Sequence, residues 1–207
     1  MVEGWPFGPL RMFGYDLIVA DPPWDFRLYS EAGEAKSAHA HYDCMTPEEI
    51  KALPVGLLAG GDCLLTLWTT GWAMATGLAT DVVRAWGFTP VTEIGWRKIT
   101  RNGKVRMGPG YRARTMHEPI LIAKIGNPVH GALPSLFDGL AREHSRKPDE
   151  FYHLIRSKTK HMLHRADLFS RETRPGFEGW GREHGKFDAP STKGPSSHDH
   201  RPTAAAE

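Results

Sequence analysis

Residues 21–24 read Asp21-Pro22-Pro23-Trp24, directly after the run Tyr15-Asp16-Leu17-Ile18-Val19-Ala20. A short, largely apolar run has the pattern of a buried strand, and a Pro-Pro pair stops it because proline has no N–H to give a ladder. The strand end then presents one carboxylate, Asp21, beside one main-chain carbonyl, that of Pro22, on a stiff backbone. Two acceptors side by side suit an exocyclic amine conjugated to a ring. The lone pair of such an amine is delocalised. Accepting its two hydrogens localises the pair and aims it at an electrophile. This is catalysis by position and electrostatics, and it asks for neither a metal nor a strong base. Trp24 adds a broad face on which a flat base can stack, a contact worth about 1–3 kcal/mol. A plain strand stop whose Asp caps a neighbouring group is the blander reading of these four residues.

Other residues bear on chemistry. From Arg97 to Arg114 the chain carries Arg97, Lys98, Arg101, Lys104, Arg106, Arg112 and Arg114, with Tyr111 among them and no Asp or Glu. Overall net charge is only +2, so the distribution says more than the total. Cations in a row suit phosphates and Tyr111 suits a base; a solvated hairpin is the alternative. The loop from Asp25 to Cys44 reads either as a cover for the target base, with Tyr29 or Tyr42 beside it, or as ordinary surface. His39, His41 and Cys44, or His161 and His164, do not supply four ligands at zinc-site spacing, so no metal is expected. Cys44 and Cys63 are read as free thiols.

These residues need elements to hold them. The chain has 207 residues, 40% hydrophobic and 24% charged, an ordinary globular mixture with enough length for a full core. No apolar run reaches the roughly 18–20 residues of a membrane span, and the N-terminus lacks a signal pattern, so a cytoplasmic protein is expected. Thr46-Pro47-Glu48-Glu49 predicts a helix start with a capping box. Cys63–Trp68 predicts a second buried strand. Met74, Leu78, Val82 and Trp86 predict one helix stopped at Gly87. Phe88–Trp96 and Pro119–Ile125 read as strands flanking a basic loop or hairpin with Asn102-Gly103 and Gly108-Pro109-Gly110. Pro148-Asp149-Glu150 opens a helix bearing Phe151, Leu154 and Ile155, and His161–Phe169 reads as the last strand. From Gly185 the composition is that of a disordered tail, giving a domain over 1–184 and a tail over 185–207. Alternating strands and helices predict an α/β fold with a mostly parallel sheet covered on both faces, ligands binding beyond the carboxyl ends of its strands.

The strand ending in Ala20-Asp21-Pro22-Pro23-Trp24 resembles the MT-A-seventy-like family of adenine-N6 methyltransferases. Further segments follow in the family's order, from about Tyr15 to Gly181. They are Leu67-Trp68-Thr69-Thr70-Gly71-Trp72-Ala73-Met74, Trp86-Gly87-Phe88, Glu93-Ile94-Gly95-Trp96-Arg97-Lys98, His117-Glu118, Gly126-Asn127-Pro128, Ser145-Arg146-Lys147-Pro148-Asp149-Glu150, Asp167-Leu168-Phe169-Ser170-Arg171 and Trp180-Gly181. The resemblance implies a Rossmann-like class I methyltransferase fold with permuted motif order, and S-adenosyl-L-methionine as cofactor. It implies that Lys147 lies beside the cofactor's methionine moiety, that Asp167 holds its ribose hydroxyls, that Phe169 and Arg171 line that end, and that Asp21 meets both cofactor and target amine. Asp21, Pro22, Pro23 and Trp24 are then the catalytic group. Arg97, Lys98, Arg101, Lys104, Arg106, Tyr111 and Arg112 are the candidates for nucleic-acid contact. Thr173 and Arg174 depart from the His and Asn that relatives often carry, and residues 3–10 have no confident alignment.

The expected reaction is methylation of the adenine N6 amine in DNA, with the same reaction on RNA as the alternative. An inactive nucleic-acid-binding or partner subunit is a third reading, which the intact Asp21, Lys147 and Asp167 disfavour. Amide methylation is disfavoured because related enzymes with that task carry Asn in place of Asp21. Homodimer and heterodimer with a related subunit both stay open.

Overall fold

A computed structural model describes residues 4–25, 44–108, 112–143 and 145–188. It is a mixed α/β structure around one seven-stranded sheet. In chain order the elements are β1 (Tyr15–Ala20), α1 (Pro47–Ala52), β2 (Ala59–Trp68), α2 (Gly71–Ala75), α3 (Leu78–Ala85), β3 (Thr89–Ile99), β4 (His117–Ile125), β5 (Leu136–Leu140), α4 (Asp149–Lys158), β6 (Arg165–Leu168) and β7 (Glu178–Trp180). The sheet order is β5-β3-β4-β2-β1-β6-β7. All neighbouring pairs are parallel except those of β4, which runs antiparallel to both β3 and β2. The sheet is therefore mostly parallel, as expected, with one reversed strand inside it.

Strand pleating sorts the core into two clusters. From β1, Ile18 and Ala20 join a cluster with Ile50 of α1, Val82 and Val83 of α3 and Leu65 and Leu67 of β2. The alternate residues Leu17 and Val19 join a second cluster with Phe151, Tyr152 and Ile155 of α4 and Leu64 and Trp68 of β2. Side chains one residue apart on a strand point oppositely, so a strand buried on both sides must be apolar at every position. In β1 all but Asp16 are buried.

Local sequence explains the helix ends. Thr46 caps α1 with a full capping box to Glu49, and Pro47 sits in its first turn. Pro148 precedes α4, whose first turn is acidic at Asp149 and Glu150 and whose last turn is basic at Arg156 and Lys158, matching the helix dipole. No helix among the described residues is long and apolar enough to cross a membrane.

Four expectations are corrected. The single helix over Met74–Trp86 is two, because Gly77 takes a left-handed φ of 79° between α2 and α3. The stop at Gly87 stands, with φ 83°. The strand over His161–Phe169 shrinks to Arg165–Leu168: Asp16 accepts the N–H groups of Leu163 and His164 and folds that segment as a turn. Strands β5 and β7 lie in segments where no strand is expected. Residues 185–188 fold back onto the domain: Phe187 N–H donates to the Arg171 carbonyl, and Asp188 accepts from Thr173 N–H and Oγ1.

Candidate active site

Sheet register assembles the site. In β1, Asp21 follows Ala20, which pairs with Leu168 of β6 and Leu67 of β2. Asp21 N–H donates to the Leu168 carbonyl at 3.2 Å, so Asp21 stands where β1 and β6 end. Val19 pairs with Asp167, and paired residues share a face. Because β4 is reversed, its first residues lie at this same end of the sheet. Trp68 pairs with Ile120, and Trp96 pairs with Glu118. Alternation along the strands then brings Lys98, Glu118, Trp68, Asp21 and Asp167 onto one face at one end.

The central feature is a row of alternating charges. Lys147 Nζ lies 2.9 Å from Asp21 Oδ1 and 3.2 Å from Glu118 Oε2. Glu118 Oε1 in turn accepts from Lys98 Nζ. The Lys147 ammonium stands 5.0 Å from the Trp68 ring centre and that of Lys98 stands 5.1 Å from the Trp96 ring centre. These two rings meet edge to face at 5.8 Å. Burial pushes the Asp21 carboxyl above its ordinary range against the pull of Lys147, and Glu118 adds to the upward push. Burial also disfavours the Glu118 carboxylate, but Lys147 and Lys98 outweigh it and hold its pKa at about 2. Lys147 is disfavoured as a cation by burial, yet Asp21 and Glu118 raise it above the usual lysine range.

Beyond Asp21 opens a narrow cleft, lined by Lys147, Asp167, Phe169 and Arg171 as well as Asp21 itself. All five residues expected to hold the cofactor thus meet in one place. Asp167 is 3% exposed, and its Oδ2 accepts from the Tyr152 hydroxyl at 3.0 Å. Burial raises its pKa to about 7, against the lowering by that hydroxyl and by Arg174. Phe169 adopts φ 61°, a left-handed conformation that usually calls for glycine. Its ring is held edge to face on Trp180 at 5.3 Å, so packing offsets the strain and the chain turns there without a glycine. Arg171 pairs with Glu183 at 2.9 Å.

Several site residues escape a reading of sequence alone. Arg174 lies over the Tyr152 ring at 3.9 Å and binds Glu172 at 2.7 Å. Arg146 also holds Glu172, and it stands 5.1 Å from the centre of the Phe187 ring. Phe187 lines the cleft from beyond the expected domain boundary. Glu118 has a signal, a carboxylate at a strand start, but its partnership with Lys147 needs the reversal of β4.

The remaining predicted residues separate. Pro22 is buried and Pro23 half-buried; the Pro22 carbonyl accepts the Trp24 N–H at 2.9 Å. Trp24 is 5% exposed, belongs to the first core cluster, and donates its indole N–H to the Trp68 carbonyl at 3.0 Å. It anchors the turn after β1 rather than offering an open face. Arg97 is held bidentately by Asp138, its register partner on β5, at 2.6 and 2.7 Å. Lys98 belongs to the charge row. Arg101, Lys104 and Arg106 are exposed on a hairpin extension of β3, closed by a bridge between Ile99 and Val105. Arg112 is exposed on the return to β4. Tyr111, Tyr29, Tyr42, His39 and His41 lie outside the described residues. Cys44 and Cys63 are free thiols.

The profile of the MT-A70 family matches residues 15–183. The Type II methyltransferase M.MunI of Mycoplasma sp. is 29% identical over 82% of this chain and 77% of its own length. A rice protein named as a probable N(6)-adenosine-methyltransferase MT-A70-like is 31% identical over 78% of this chain and 21% of its own length. The mouse N(6)-adenine-specific methyltransferase METTL4 is 26% identical over 84% of this chain and 38% of its own length. The chain thus spans most of the Mycoplasma enzyme but only a fifth to two fifths of these two eukaryotic proteins.

Proposed function

The chain belongs to the MT-A70 family, and on that premise we propose that it is an S-adenosylmethionine-dependent enzyme that methylates the N6 amino group of adenine in DNA. The observation that carries this reading is the convergence of Asp21, Lys147, Asp167, Phe169 and Arg171 on one cleft at the ends of β1 and β6. DNA is favoured because the type II enzyme is matched across 77% of its length. RNA is the second reading, supported by the adenosine methyltransferases among the relatives. The fold is read as Rossmann-like with permuted motif order and helices on both faces, the two core clusters being its support. We take the methyltransferase domain, expected over residues 1–184, to include the docked residues 185–188, and the cytoplasm as its place.

The donor set fits the cofactor. A buried carboxylate with a second oxygen beyond its tyrosine bond suits a pair of ribose hydroxyls, the role assigned to Asp167. Lys147 and Asp21 offer opposite charges to the zwitterionic amino-acid end, and Arg171 and Phe169 flank the ribose side. When bound, S-adenosylmethionine supplies an electrophilic methyl group on a sulfonium.

The chain's own residues do the rest. Asp21 and the Pro22 carbonyl accept the two hydrogens of the target amine and restore its lone pair. The Trp24 bond to the Trp68 carbonyl fixes the turn that holds both acceptors. Lys147 pulls against the upward push of burial on the Asp21 carboxyl and so favours the ionised form, which accepts rather than donates. Once methylated, the amine is cationic and acidic, and its proton passes to Asp21 or to water. Electrostatic positioning of this kind acts most strongly in a site that excludes water.

Labelled cofactor with DNA and RNA oligonucleotides side by side, followed by nucleoside mass spectrometry, tests the reading. The expected product is N6-methyldeoxyadenosine. Methyladenosine from RNA alone would move the assignment to the second reading, and no transfer to either would overturn both. Asp21→Ala should abolish transfer and leave the circular dichroism unchanged, because Lys147 keeps Glu118 as partner. Full activity in that variant removes the mechanism.

A further inference from the structure

Behind Lys147 stands a second carboxylate that takes no part in the chemistry above. Glu118 is the second residue of β4, and its side chain is only 23% exposed. Holding a carboxylate there is costly unless its charge is matched on each side. It is matched twice, by Lys147 at one oxygen and Lys98 at the other.

Lysine is a flexible four-carbon stem ending in three donors. An ion pair with Asp21 alone would leave the Lys147 head several rotamers around that carboxylate. The second pair at 3.2 Å and the Trp68 ring beneath define a single position. Glu118 is itself fixed, because Lys98 lies over Trp96 and Trp96 is locked by its indole bond to the Gly139 carbonyl at 2.9 Å. The row Lys98, Glu118, Lys147, Asp21 therefore runs from the strand that carries the basic hairpin to the end of β1, with a rigid aromatic floor.

We infer that Glu118 is a positioning residue for methyl transfer: it holds Lys147 between two carboxylates and so sets how Asp21 is aimed and how much of the lysine's charge Asp21 receives. This rests on Asp21 being the acceptor of the target amine. Lys98 is the outer anchor of the same row. With Glu118 neutralised, Lys147 turns wholly to Asp21, and Asp21 becomes a weaker acceptor for the amine hydrogen. The charged and titratable groups around Asp21 are Lys147 ahead of α4, Glu118 of β4 and Arg171 after β6, with Asp167 of β6 and Tyr152 of α4 also coupled to it. Glu118→Gln changes one of these. It removes a like charge and leaves the lysine to Asp21 alone, and both effects move the titration of Asp21 to lower pH.

The test compares wild type, Glu118→Gln, Glu118→Asp and Lys98→Met. For Glu118→Gln, kcat should fall by about a hundredfold, the size of a small misplacement at a reacting centre, with KM for the oligonucleotide little changed. The acidic limb of kcat should move to lower pH, and Glu118→Asp should recover part of the rate. In the cofactor-free protein, the carbon-13 carboxyl signal of Asp21 should titrate at lower pH in Glu118→Gln than in wild type. Unchanged kcat with an unchanged Asp21 titration overturns the inference, as does a loss confined to KM, which would mean direct contact with nucleic acid. If Glu118→Gln does not fold, Lys98→Met decides: the same downward change in kcat is expected, and wild-type behaviour overturns the inference. A wild-type protein that methylates nothing defeats the functional reading, while the Asp21 titration still reports on the coupling.

Discussion

Asp167 carries the plainest conflict between burial and charge in the molecule. Burial lifts its pKa to about 7, whereas a carboxyl in the unfolded chain titrates near 3.9. The folded state therefore binds the proton more tightly than the unfolded state between those values. Stability from this group is complete below about pH 4 and is lost as pH rises to about 7, a change of roughly 4 kcal/mol. Near neutrality the protein holds a strained carboxylate at its cleft, as functional sites often do. Asp167→Asn should thus melt at a higher temperature than wild type at pH 7.5, and the difference should shrink towards pH 4.5, as thermal denaturation across that range would reveal. On the proposed role of Asp167, the same ionisation would govern cofactor binding. If two hydroxyls are accepted by the carboxylate, cofactor affinity should fall as pH drops below about 7, by up to tenfold per unit, and calorimetry should find that dependence gone in Asp167→Asn. Asp21 was legible as a carboxylate at a strand end, while Lys147 and Asp167 were named only through the family resemblance of their motifs. It did not name Tyr152 or the role of Glu118, since both act through partners distant in the chain.

At the scale of elements, legibility followed local signals. The start of α1 was readable because Thr46, Pro47 and Glu49 act within four residues. Strand β1 was readable because both its faces are apolar. Strand β5, Leu136-Phe137-Asp138-Gly139-Leu140, was not, since Asp and Gly disfavour strands and what holds it, pairing with β3 and contact with α4, is distant in the chain or leaves no local pattern. That missed strand matters for the basic stretch. Its Asp138 engages Arg97, and the reversed β4 supplies Glu118 to Lys98, so two of the cations expected to meet phosphate are spent within the sheet. Of the proposed phosphate-contact residues, Arg101, Lys104 and Arg106 on the hairpin that extends β3, together with Arg112, then remain. Replacing Arg101, Lys104 and Arg106 together with alanine should flatten the slope of log affinity against log salt by about 2–3 on duplex DNA, close to one unit for each phosphate no longer neutralised. Arg97→Ala should leave that slope alone and loosen the β3–β5 pair. Equal slopes for the triple variant and wild type would show that nucleic acid approaches elsewhere.

On the scale of the whole molecule, the cleft is where the two ends of the domain's chain path meet. One wall comes from β1 near the N-terminus, the other from α4, β6 and the segment after β7. A composition rich in Gly, Lys and His reads as tail from residue 185, because a few side chains that dock on a preformed surface leave no periodic trace. Yet Phe187 lines the cleft beside Arg146, its N–H ties to the Arg171 carbonyl, and Asp188 caps Thr173 through two hydrogen bonds. Arg171 is further held by Glu183. The four residues 185–188 therefore brace the turn that presents Phe169 and Arg171. A chain ended after Asp188 should keep wild-type cofactor affinity and melting temperature. A chain ended after His184 retains the sheet and both core clusters, so it should still fold. It lacks the Arg146–Phe187 cation–aromatic pair, worth about 1 kcal/mol, and the brace on Arg171, so its cofactor affinity should be weaker by about fivefold or more. Calorimetry on the two truncations checks this, and equal affinities would place the functional end of the domain at residue 184.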